Sequence, residues 1–133
     1  MGNFKAYEMG LRGLHERGLV RIPVVPIECS GNAHIFFILL PSLETRLAFE
    51  RELKRRGVSA FSHYVPLHSA PAGLRFGRVA GSMAETDRVF AGLLRLPVWL
   101  GLREDEIQKV ILAVEEIAAS FEIALLAAAN KEN

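Results

Sequence analysis

The chain has 133 residues, half of them hydrophobic, and its 16 basic residues are nearly balanced by 15 acidic ones. This length predicts a single domain with a buried core, and the balanced charge gives no indication of nucleic-acid binding. The apolar run of residues 35–40 is far shorter than the ~20 residues that a membrane-spanning helix needs, so no membrane association is expected.

The first helix is predicted from four apolar residues at helical spacing before Gly18: Phe4, Tyr7, Leu11 and Leu14. Residues 22–26 follow with two prolines, which cannot donate to a ladder and are typical of a sheet edge or a connection.

Cys29 is the only cysteine, which excludes an internal disulfide. Because no basic neighbour or general base lies near it in the sequence, we interpret it as a buried, unreactive thiol. Together with the absence of a leader-like start, it indicates a cytoplasmic protein.

Residues 33–40 are β-branched and aromatic without alternation, which predicts a central strand covered on both faces. Ser42 is the predicted N-cap of the next helix, which should end at Gly57. The buried face of that helix is predicted to contain four residues: Leu43, Leu47, Phe49 and Leu53. A second strand is expected over residues 58–61.

Two histidines, a tyrosine and two prolines are concentrated in residues 63–73, HYVPLHSAPAG, just after this predicted strand. The ends of strands are where α/β folds usually place binding residues, so His63, Tyr64 and His68 are candidates for the edge of a pocket. The alternative is a proline-stiffened surface loop whose histidines only form hydrogen bonds.

The stretch 73–81 combines glycines with Arg75 and Arg78, and its amides and guanidinium groups suit a phosphate. It matches neither the P-loop nor the dinucleotide pattern, so a mobile loop with solvated arginines is the simpler interpretation. Four residues of the types that zinc accepts have no structural-zinc spacing, which favours chance occurrence over a metal site: Cys29, His34, His63 and His68.

Ser82 and Glu85 have the spacing of a capping box, and the helix they open is expected to end near Gly92. Residues 93–100 predict a third extended segment, in which Trp99 belongs to the core or to an interface. The closing helix is predicted from eight residues: Ile107, Val110, Ile111, Val114, Ile117, Ala118, Phe121 and Leu125.

This order of elements predicts one α/β domain over residues 1–133, a two-layer sandwich whose small sheet of about three strands is covered by helices. Between the second strand and the third helix we expect an irregular loop. The apolar surface of the long closing helix exceeds what a small sheet can cover, which indicates contact with a partner subunit or with a missing domain.

Three segments together resemble one known family: Asn32-Ala33-His34 before the apolar strand, residues 63–73, and Arg95-Leu96-Pro97 before the closing helix. They are similar to the C-terminal part of the DegT/DnrJ/StrS nucleotide-sugar aminotransferases, which depend on pyridoxal phosphate. The resemblance implies the small domain of a type I aminotransferase fold, assembled as a homodimer with its active sites at the subunit boundary.

By this resemblance His63, Tyr64 and His68 shape the sugar-nucleotide end of the pocket, and Arg75 and Arg78 approach the diphosphate. The partners implied are a nucleotide-sugar substrate and an amino donor. The lysine that holds the cofactor belongs to a large domain absent from residues 1–133, so we expect no catalytic residue, no bound cofactor and no activity of the chain alone. None of the four lysines has a sheltered position in the predicted elements: Lys5, Lys54, Lys109 and Lys131.

A second class of function remains open from the residues alone. The same sandwich can serve as a stand-alone module that binds a small ligand, or that dimerises through its apolar surface, without catalysis.

Overall fold

The computed structural model describes residues 2–129, with side chains described as far as Glu122. Its elements in chain order are α1 (Asn3–Glu16), β1 (Phe36–Leu39), α2 (Leu43–Arg55), β2 (Phe61–Ser62), α3 (Pro71–Phe76), α4 (Ala84–Gly92), β3 (Leu93–Leu96) and α5 (Glu104–Ala129). The three strands form one antiparallel sheet in the order β1-β3-β2, packed against helices. The predicted α/β class with a small three-stranded sheet is confirmed.

The centre of the sheet is β3, and not the segment 33–40 that the sequence predicted as the central strand. Strand β1 pairs with β3 from Phe36 opposite Leu96 to Leu39 opposite Leu93, and on its other side it has one isolated bridge to Arg21. The ladder stops there because the following residues include Pro23 and Pro26, which lack the amide that a further pair requires. The burial of β1 is nonetheless nearly complete.

Helix α1 forms as predicted and buries Tyr7, Leu11 and Leu14. The Tyr7 hydroxyl donates to the Pro97 carbonyl at 2.9 Å, just after β3. Burial raises the pKa of Tyr7 above its usual range, so the phenol stays neutral and can donate this bond. The helix is thereby tied to the end of the central strand, and Tyr7 also packs against Phe36 with ring centroids 5.1 Å apart.

Helix α5 crosses α1 closely, and Gly10 permits this approach. A Cβ at Gly10 would stand 2.6 Å from Cδ1 of Ile111, so a larger residue would push the helices apart. Arg17 forms an ion pair with Glu122 at the end of the same contact. The predicted inner face of α5 is buried over residues 107–118 and Phe121 is partly buried, while the side chain of Leu125 lies outside the described residues.

Helix α2 begins at the predicted cap, where the Thr45 amide donates to Ser42 Oγ at 3.1 Å. The predicted apolar face is wrong in part, because Leu43 is 46% exposed and Leu47 43% exposed. Only a narrow stripe at four-residue spacing, Phe49 and Leu53, is fully covered.

Helix α4 runs to Gly92 as predicted, but the capping box does not form. The helix starts at Ala84, whose amide donates to Ser82 Oγ at 3.2 Å, and Met83 occupies the cap position. Glu85 instead pairs with Arg88 at 2.7 Å, and this hydrogen bond lowers the pKa of Glu85. A box needs its acid three residues after the cap, and here the acid is only two residues after it.

The strand predicted over residues 58–61 is also wrong in its bounds. Val58 and Ala60 are buried without pairing, and only Phe61–Ser62 joins β3. Among residues 2–129, no helix combines the length and the hydropathy that crossing a membrane requires.

Candidate functional site

A compact turn follows the end of β2, where the sequence predicted an irregular loop. The amides of Ser69 and Ala70 both donate to the Pro66 carbonyl, at 3.1 and 3.0 Å, and α3 begins directly afterwards. Pro71 occupies the first turn of this helix, where its missing N–H leaves nothing unsatisfied and its fixed φ suits a helix. The segment is therefore a turn and a short helix and not an irregular loop.

Gly73 allows α3 to lie directly on this turn. A Cβ at Gly73 would overlap the carbonyl oxygen of Leu67 and would stand 2.6 Å from its carbonyl carbon. Backbone therefore touches backbone at this point, a contact that only glycine permits. This contact fixes the position of α3 relative to the turn that contains His68.

A large cavity lies between this turn, α3 and the start of α4. Its volume is about 780 Å³. Its walls are mainly apolar, with two cationic or titratable side chains, and they consist of Leu67, His68, Gly73, Leu74, Gly77, Arg78, Val79, Met83 and Thr86. Mainly apolar walls with a few polar groups are typical of a small-molecule site.

His68 is fixed in the cavity wall by a carboxylate. Its Nε2 lies 2.9 Å from Oδ1 of Asp87 on α4, and the His68 side chain is only 17% exposed whereas that of Asp87 is 58% exposed. An ionised carboxylate only accepts hydrogen bonds, so Nε2 carries the proton in this contact. The structure thus places His68 and Arg78 in one cavity.

His63 and Tyr64 lie at the exit of β2 and not in the walls of that cavity. Their rings are in contact, with centroids 5.2 Å apart, and the guanidinium carbon of Arg95 lies 5.3 Å from the centroid of the Tyr64 ring. Arg95 also donates to the Ser62 carbonyl at 3.1 Å. This second group, centred on β3, holds Tyr64 near the edge of the sheet.

Arg75 is separated from the other candidates. Its guanidinium carbon lies 4.9 Å from the ring centroid of the neighbouring Phe76, and the residue is not part of the wall of the cavity that holds His68. Of the five residues predicted for the site, His68 and Arg78 therefore share a cavity, His63 and Tyr64 share a cluster, and Arg75 joins neither.

Sequence reasoning missed two residues that position these side chains, Asp87 and Arg95. Asp87 gave no signal, because a lone acid in a polar helix is normally solvated. Arg95 could have been identified from the sequence, because it is the charged residue in the middle of an otherwise apolar strand. It lies between buried Leu94 and Leu96. A cation at such a position requires a specific partner.

The segment around the cavity exposes an unusual number of large apolar side chains. They are Phe61, Tyr64, Val65, Leu67, Leu74, Phe76 and Val79, each more than half exposed. No residue between 61 and 91 is buried. Exposed apolar side chains in such number are typical of interaction surfaces.

Two other sequence predictions concern Cys29 and a metal. Cys29 is exposed, so its interpretation as a buried thiol is wrong, because the segment 23–34 lies over the surface and outside the core. His34 is bonded through Nδ1 to Asn32 at 2.6 Å and His68 to Asp87. Within the described chain, no three His, Cys, Asp or Glu side chains are grouped as metal ligands.

The lysines that the structure describes do not form a site for an aldehyde cofactor. Lys5, Lys54 and Lys109 are all exposed, and none of them is in the wall of the cavity that holds His68. Lys109 borders two other cavities, of about 170 and 430 Å³. Residues 2–122 therefore do not fit a covalently held pyridoxal phosphate, and Lys131 lies outside them.

The three-stranded antiparallel sheet with its helices matches the fold of part of solved aminotransferase structures. The chain belongs to the DegT/DnrJ/EryC1/StrS aminotransferase family, whose family model matches residues 2–115. A curated relative, the "Pleiotropic regulatory protein" of Geobacillus stearothermophilus, is 27% identical over 109 residues, which are 81% of this chain and 29% of the relative.

Two solved structures show the same fold. DesV of S. venezuelae, in complex with a ketimine intermediate, has a TM-score of 0.76 and 27% identity over 87% of this chain and 30% of its own. The protein ntda of Bacillus subtilis, with bound cofactor PMP, has a TM-score of 0.74 and 18% identity over 88% of this chain and 27% of its own. The chain thus spans less than a third of the length of these relatives.

Proposed function

We propose that the chain is the C-terminal small domain of a pyridoxal-phosphate-dependent aminotransferase that transfers an amino group to a nucleotide-linked 4-keto-6-deoxy sugar. The observation that carries this proposal is the family match, which extends over residues 2–115. The cofactor is supported by two similar structures, one with a ketimine intermediate and one with PMP.

Within the family, the particular enzyme that we propose is the dTDP-4-amino-4,6-dideoxygalactose transaminase of enterobacterial common antigen synthesis. This finer proposal is supported by the sequence resemblance in residues 32–34, 63–73 and 95–97. It assigns the protein to the synthesis of lipopolysaccharide or another surface polysaccharide in the cytoplasm.

In this proposal the described residues recognise substrate and do not form or break its bonds. Pyridoxal phosphate, when bound in the full-length enzyme, supplies the carbonyl that takes up and releases the amino group. Arg78 offers a cation to the diphosphate in the cavity that it shares with His68. His63 and Tyr64 contribute to recognition at the sheet edge, outside the wall of this cavity. Arg75 is also outside that wall, and in this proposal it approaches the diphosphate in the assembled enzyme.

The remaining parts of the active site come from the rest of the enzyme and from an amino donor, and we propose that the full-length protein is a homo-oligomer. The exposed apolar side chains between Phe61 and Val79 support a surface that another domain or subunit covers. The same observation favours a second candidate function, a stand-alone module that dimerises or binds a small ligand through this surface.

The substrate proposal is tested by titrating the chain with a dTDP-4-keto-6-deoxy sugar and measuring the dissociation constant by calorimetry. We expect weak, saturable binding, because the walls supplied by the rest of the enzyme are missing. Arg78→Ala should weaken it by roughly fivefold, as expected for loss of a charge-assisted hydrogen bond at a partly solvated site.

The control is Arg12→Ala, which removes another exposed arginine, from α1, far along the chain from the cavity. It should leave the affinity unchanged. Tight binding by the isolated chain would favour the stand-alone module. Equal losses in the two variants would contradict a specific role for Arg78.

A further inference from the structure

The two walls of the large cavity differ in how firmly they are held. Helix α4 is attached to α2, because Arg46, whose side chain is only 11% exposed, donates through Nε to the Ala91 carbonyl at 3.1 Å. By contrast, α3 and the turn before it contain no buried residue. The wall formed by α3 and the turn that contains His68 is therefore the weakly anchored one.

One hydrogen bond joins these walls among the bonds of the described residues, that between His68 and Asp87. Every other hydrogen bond of residues 63–79 lies within that segment, as in the bonds to the Pro66 carbonyl. Asp87 lies one turn after Met83 and next to Thr86, which form the opposite wall. The contact therefore joins the weakly anchored wall, formed by the turn and α3, to the wall formed by α4.

We propose that Asp87 is a positioning residue, which acts through His68 by fixing its ring orientation and its tautomer. With Nε2–H donated to the carboxylate, the neutral imidazole has an unprotonated Nδ1, so His68 offers an acceptor. The ligand group that matches it is a hydrogen-bond donor, such as a sugar hydroxyl. Arg78 in the same cavity offers only donors, and so the two side chains select different parts of one ligand.

The role of His68 toward a ligand rests on the proposed function. The tautomer of the His68 ring does not, and it can be measured without ligand. The experiment is proton–nitrogen NMR of the His68 imidazole in the 133-residue chain. We expect an Nε2–H tautomer whose proton is slow enough in solvent exchange to be observed, because it is hydrogen-bonded. Asp87→Ala should lose that proton signal.

A second readout is amide hydrogen exchange in residues 67–79, which should accelerate at least about threefold in Asp87→Ala because the charged hydrogen bond is lost. Glu85→Ala is the control, since it removes an exposed carboxylate from the same helix that pairs with Arg88 and not with His68. It should retain the Nε2–H signal and the slow exchange.

An Nδ1–H tautomer in the unaltered chain would overturn the proposal, as would an Nε2–H signal that persists in Asp87→Ala. Both outcomes are independent of whether a sugar nucleotide binds. A failed titration together with the expected NMR result would therefore count against the proposed function and leave the role of Asp87 intact.

Discussion

Gly73→Ala is expected to dismantle the cavity while leaving the core folded. The new Cβ would overlap the Leu67 carbonyl oxygen, so α3 has to leave the turn that carries His68. Since α3 buries no residue, the free energy of unfolding should change by less than about 1 kcal/mol. Amide exchange over residues 66–78 should accelerate by roughly tenfold or more, and binding of the sugar nucleotide should be lost.

The control for this substitution is Ala72→Ser, at an exposed position of the same helix. It should change neither amide exchange nor binding. If Gly73→Ala keeps protected amides and unaltered affinity, the close contact between α3 and the turn does not determine the site.

Gly92→Ala is expected to cause the largest loss of global stability. Gly92 is buried at the junction of α4 and β3, where its carbonyl accepts from the Leu40 amide at 3.0 Å. An added Cβ would overlap the Leu40 carbonyl oxygen and would stand 3.1 Å from Cδ1 of Leu39. Overpacking and a weakened hydrogen bond should together lower the free energy of unfolding by about 2–3 kcal/mol in denaturant titrations.

The same substitution at Gly13 provides a control, for which the free energy of unfolding is expected to change in the opposite direction. Gly13 lies within α1 and a Cβ there would meet nothing within 4 Å. Gly13→Ala should therefore stabilise the chain by about 0.5–1 kcal/mol through helix propensity. Destabilisation by both substitutions, or by neither, would contradict the packing described around Gly92.

The elements that local patterns could predict are those with long apolar periodicity or a side-chain cap. Helices α1 and α5 followed from residues at helical spacing, and the start of α2 followed from Ser42. These features depend on neighbours within a few residues, and so the sequence contains them directly.

The features that could not be predicted depend on pairs far apart in the chain. The central position of β3 depends on its pairing with both β1 and β2. His68 and Asp87, which form a hydrogen bond, are 19 residues apart in the sequence. The short helix α3 is permitted by the contact of Gly73 with Leu67, which no periodicity reveals. For the site, residue types identified His68 and Arg78 as candidates, but only the fold could separate them from Arg75.

The central claim is that these residues contribute recognition and that the lysine for the cofactor lies elsewhere in the enzyme. The most direct test is the absorbance spectrum of the chain after it is mixed with pyridoxal phosphate near neutral pH and then dialysed. Because Lys5, Lys54 and Lys109 are exposed, adducts with them should be reversible, and we predict that no band of lysine-bound cofactor remains. A band that survives dialysis at one cofactor per chain would contradict the account.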